Sequence, residues 1–201
     1  MKKIIKSIPK EAWGASIDLV NKLIFPVTAI TVGIGKLIEQ KFSTLNEVQK
    51  IIAEQTIKEA VEKVKQKKDK DFSKVIVKPQ IIYIVLENTD SQSDDTLRSL
   101  WVNLTAREIS EGSVHPEIAR LFAKLTAADL IILSEYYSSH KSIAALLLKS
   151  FSSVYTLGLL RDPKSFNHVY LRDLGLIEDI SGRWFCTVVG KELMHSISEL
   201  S

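Results

Sequence analysis

The side chains best suited to proton transfer or metal ligation near neutral pH are four histidines, His115, His140, His168 and His195. They fall in separate stretches, with no His-x-x-x-His or Glu-x-x-His pair to set two ligands on one helical turn. Cys186 is the single cysteine, which excludes an internal disulfide and a cysteine-cluster zinc site. It follows Trp184 and Phe185 in a stretch of strand composition, where a thiol reads as a small buried hydrophobe rather than a nucleophile. Gly33-Ile34-Gly35-Lys36 echoes a phosphate loop, but Ile30 and Leu37 stand where that loop needs a glycine and a Ser or Thr. No serine sits in a nucleophile-elbow context. The residues specify no reaction, metal or cofactor, and the expectation is a protein that is not an enzyme.

Charge offers binding chemistry instead. Residues 1–78 hold 16 basic and 9 acidic residues, the remainder 11 and 15, so the formal net charge of +3 hides a basic first half. Such a half can steer toward an anionic surface, lipid or nucleic acid, or simply be a solvated helix face. Between Lys22 and Lys36 lie thirteen uncharged residues, too few for a spanning helix, which needs about 20. Two readings compete for this segment. It is a buried kinked helix, divided at Pro26 and weakened by Gly33 and Gly35, or an interfacial patch flanked by Lys2, Lys3, Lys6, Lys10, Lys22 and Lys36. In the second reading Trp13, Leu23, Ile24, Phe25, Val27 and Ile30 are the membrane or partner contacts. Lys6 and Lys10 interrupt any apolar core near Met1, so no signal peptide is expected, and the chain is placed in the cytoplasm, with the inner membrane surface as its peripheral option.

The elements that position these residues are mainly helical. Pro9 and Glu11 suit a helix start, and Thr44 to Glu47 has capping-box spacing. The helix behind it carries Leu45, Val48, Ile52, Ile57, Val61 and Val64 and ends in a lysine run that leads to a linker over 69–78. Nothing aromatic is interleaved there to stack on bases. After Pro79 the segment Gln80 to Glu87 suits strand or helix, and its helical surroundings favour helix. Asp94 or Asp95 caps the next helix, where Leu97, Leu100, Trp101 and Leu104 share one face up to Gly112. Pro116 falls in a first turn, with His115 at the helix start and Ile118, Leu121, Phe122 and Leu125 repeating the spacing. Thr126 to Asp129 reads as an N-cap with an acid in the first turn, before Leu130, Ile131 and Leu133.

Ser138 to Ser142 is a connector, and Ile143 to Ser153 is apolar enough to be buried. Asp162-Pro163 reads as an N-cap and first helical position, Gly175 as the matching C-terminal glycine, with Phe166, Val169, Tyr170 and Leu174 on one face. Leu176 to Ile180, a Ser181-Gly182 turn and Arg183 to Cys186 form a short β-hairpin, and Thr187 caps a closing helix through Leu193, Met194 and Ile197. Helix, hairpin and helix resemble the end of a winged helix-turn-helix. In such folds the helix before the hairpin enters the major groove, which makes Lys164, His168, Arg172 and Arg183 the candidate DNA contacts. Against DNA, Asp162 to Ser201 holds four basic and six acidic residues, little with which to neutralise phosphates.

Several stretches together carry a family resemblance. They are Val114-His115-Pro116, Leu125-Thr126 through Asp129 to Leu133, Leu171 to Ile177 with Gly175, and Thr187 with Gly190. In that order and spacing they resemble the bacterial abortive infection alpha (Abi-alpha) family, over most of Ile8 to Ile197. Cys186 stands where the family has leucine before the threonine, a departure that leaves the strand reading intact. The resemblance implies a role in defence against phage, in which the infected cell is disabled, and supplies no catalytic residue.

The expected architecture is a mainly α chain, a multi-helix bundle with a C-terminal winged-helix-like unit containing a short β-hairpin. It divides into a basic helical arm (1–78), a central helical core (79–137) and the winged-helix-like unit (138–201). Three function classes stand open. The first is a non-enzymatic phage-defence protein acting at an anionic membrane surface. The others are a DNA-binding regulator and a protein-interaction or antitoxin-like module, with oligomerisation open in each.

Overall fold

A computed structural model describes residues 38, 40–67, 77–138, 165–180 and 183–199. The apolar arm with Pro9, Pro26 and the Gly33–Lys36 stretch, residues 69–76 of the expected 69–78 linker, the Ile143 to Ser153 segment and the Asp162-Pro163 pair lie outside these residues. The described chain is mainly helical, with one small antiparallel sheet near the C-terminus. Its backbone divides into two compact units, Met1–Ser113 and Val114–Ser201.

In the first unit α1 (Glu47–Lys67) precedes α2 (Pro79–Glu87), a 3-10 turn (Ser91–Ser93) and α3 (Asp95–Glu111). The cap of α1 is displaced from the expected position. Asn46 and Gln49 form the reciprocal pair, Gln49 N–H donating to Asn46 Oδ1 and Asn46 N–H to Gln49 Oε1, both at 3.0 Å. Thr44 instead closes the preceding turn by donating to Lys41 O, so it cannot also open a helix. Val48 is exposed, and the buried face of α1 runs through Ala53, Ile57, Ala60, Val61 and Val64. The Gln80 to Glu87 segment is helical, with Pro79 in its first turn.

Asp94 caps α3 by accepting from Leu97 N–H, and Gly112 ends it in the left-handed region. From Trp101 to Ser110 every residue of α3 is buried, wider than the single apolar face expected. That breadth brings polar groups inside, where burial demands partners. Lys78 N–H donates to Glu108 Oε1 at 2.7 Å, and Lys78 Nζ lies 3.4 Å from Oε2. Lys63 Nζ donates to Asn103 Oδ1 at 2.6 Å, and Thr56 and Gln92 form a chain ending on Val85 O.

The second unit contains α4 (Pro116–Phe122), α5 (Ala127–Ser138), α6 (Phe166–Asp173), β1 (Ile177–Ile180), β2 (Arg183–Cys186) and α7 (Val188–Ile197). The α6 helix starts at Phe166 with Ser165 in extended conformation before it, three residues beyond the Asp162-Pro163 pair. It ends in a Schellman motif: Leu176 N–H donates to Leu171 O and Gly175 N–H to Arg172 O. Gly175 takes φ of 72°, a conformation that only glycine adopts at little cost. The hairpin pairs Ile177 with Cys186 and Ile180 with Arg183, leaving two residues for the turn.

Candidate functional site

The residues that carry the family resemblance meet in the second unit, each with a defined structural task. His115 caps α4, its Nδ1 accepting from Glu117 N–H at 3.2 Å, with Pro116 in the first turn. Thr126 and Asp129 form a capping box at the start of α5. Thr126 N–H and Oγ1 donate to Asp129 Oδ2 at 2.9 and 2.7 Å, and Asp129 N–H returns to Thr126 Oγ1 at 3.3 Å. The other oxygen of Asp129 accepts from Asn167 Nδ2 of α6 at 2.8 Å, so one buried carboxylate both opens α5 and holds α6.

Thr187 caps α7 by accepting from Gly190 N–H at 3.0 Å and donates to Gly175 O at 2.6 Å. One hydroxyl thereby joins the C-terminus of α6 to the N-terminus of α7. At Gly190 a Cβ would lie 2.2 Å from Leu176 O and 2.8 Å from Cys186 Sγ, so only a glycine lets α7 pack this closely on the hairpin.

Around α6 the structure differs from the expected face. Phe166 is 78% exposed and Val169 is exposed too, while the buried face consists of His168 and Leu171. The reason is the polar neighbours of α6: Asn167 reaches Asp129, Tyr170 Oη donates to Lys124 O at 3.0 Å, and His168 lies against Tyr136 and Trp184. These bonds turn the polar residues inward and leave Phe166 and Val169 outside. Phe166 and Tyr170 stack with ring centroids 6.0 Å apart.

His168, a candidate DNA contact in the sequence, is therefore corrected to a core residue, 1% exposed. Its Nε2 lies 2.9 Å from Tyr136 Oη and its Nδ1 2.6 Å from Ser165 Oγ. Ser165 spends its hydroxyl on this ring and does not cap α6. Arg172 is exposed and ion-paired with Asp173, Nη2 to Oδ1 at 2.9 Å. Arg183 opens β2 opposite Ile180, and Lys164 lies outside the described residues. Trp13, Leu23, Ile24, Phe25, Val27 and Ile30 also lie outside the described residues. His195 is exposed on α7, and His140 falls outside.

Cys186 is buried, and burial pushes its thiol up to about 11, against a smaller downward pull from Lys191. A thiol so disfavoured as thiolate is a poor nucleophile. Among the described residues no group of three His, Cys, Asp or Glu is placed to hold a metal ion. Sequence reasoning missed Tyr136 and Trp184 as partners of His168 because they sit on separate elements, and missed Ser165, three residues away, because it placed the helix start at Asp162-Pro163. It missed Asn167 because a single amide carries no periodic signal.

Residues 41–186 match the family model described as abortive infection alpha. Neither the curated proteins nor the solved structures contain a match.

Proposed function

The chain belongs to the abortive infection alpha family, and on that ground we propose that it is a non-enzymatic phage-defence protein. The family match is the observation that carries this reading. The geometry of the residues that carry the resemblance supports the non-enzymatic part. His115, Thr126, Asp129, Gly175, Thr187 and Gly190 are spent on caps, a helix end and a close packing contact, and these tasks build a scaffold.

Within this reading the second unit is winged-helix-like and serves as a protein-contact or regulatory unit. The order helix, hairpin, helix supports that reading, and the inward histidine and the Arg172–Asp173 pair argue against a DNA-reading face. The apolar basic arm, with Trp13, Leu23, Ile24, Phe25, Val27 and Ile30, is the effector, docking on the anionic inner leaflet from the cytoplasm. No helix among the described residues is long and apolar enough to cross a membrane.

The test is phage challenge of bacteria carrying the gene. Defence by abortive infection lowers plaque formation while infected cells die, so cultures survive at low phage input and collapse at high input. Equal plaque numbers with and without the gene, over a broad phage panel, overturn the proposal.

A further inference from the structure

We draw no further inference here: the strongest candidate, the exposed apolar face of α6 carrying Phe166 and Val169 with Tyr170 stacked on Phe166, has exposed charge of both signs on its own helix in Arg172 and Asp173, and nothing in the structure shows what covers it.

Discussion

At His168 both ring nitrogens meet hydroxyls, and the ring is shut from solvent between Tyr136 and Trp184. The residue type suited proton transfer; the location makes it a polar tie inside a core, where each bond offsets the cost of burying the imidazole. Glu135, beside Tyr136 in the chain, shows the opposite situation. Its Oε1 is buried without a hydrogen-bond partner among the described residues, and burial raises its carboxyl above the ordinary 4.5. The hydroxyl of Tyr136 is raised as well, by its own burial first and by the Glu135 charge second. A carboxyl whose folded value is raised contributes stability that is full below its ordinary, unfolded value and is lost as pH climbs through the folded value. Above that range the contribution is lost, and the charged form that desolvation disfavours opposes folding. Glu135→Gln is therefore expected to raise the melting temperature at pH 7 by roughly 1–3 °C. The gain should vanish near pH 4, because wild-type Glu135 is then protonated too; an increase that persists unchanged in acid would assign the effect to packing.

Among elements, the signals that were readable in the sequence are those in which one residue fixes one backbone event. Asp94, His115, Thr126 with Asp129, Gly175 and Thr187 stand where helix ends stand, because capping needs a particular side chain or a positive φ at one position. The two-residue hairpin was readable for the same reason. Orientation was not. Phe166, Val169 and Tyr170 have core spacing, yet α6 turns His168 and Leu171 inward because its hydrogen-bond partners lie on α5 and the α4–α5 corner, remote in sequence. The Asn46–Gln49 pair displaced the expected Thr44 cap by the same kind of competition, since Thr44 found a nearer carbonyl. The close packing of α7 on the hairpin yields a sharp test. Gly190→Ala places a methyl 2.2 Å from Leu176 O, a backbone atom just before β1 that already accepts from Thr187 N–H, so α7 or the hairpin must move. The expected cost is about 1–3 kcal/mol, read as a melting temperature lowered by roughly 2–4 °C per kcal/mol. A Gly190→Ala variant that melts like the wild type would mean that α7 does not pack on β1 as closely as described.

For the molecule as a whole, the governing feature is the division of charge along the chain. The first 78 residues hold 16 basic and 9 acidic residues, and the last forty hold four and six. A lysine near an anionic membrane surface contributes about 1 kcal/mol, and apolar side chains that enter the interface add to that in proportion to the area they bury. Lys2, Lys3, Lys6, Lys10, Lys22 and Lys36, with the apolar residues among them, would together suffice for reversible docking without any spanning helix. The full chain is therefore expected to co-sediment with vesicles containing phosphatidylglycerol and far less with neutral phosphatidylcholine vesicles. Binding should weaken steeply with salt, as the Debye length shrinks from about 10 Å at 0.1 M to about 3 Å at 1 M. Val27→Asp with Ile30→Asp places two carboxylates in the apolar patch and is expected to remove vesicle binding and the toxicity that follows infection, with thermal melting unchanged. If those variants fail to fold, the segment is core, and the membrane role proposed for it falls. If they fold and keep full toxicity without binding vesicles, the effector acts elsewhere in the chain, and the exposed face of α6 becomes the place to look for its target.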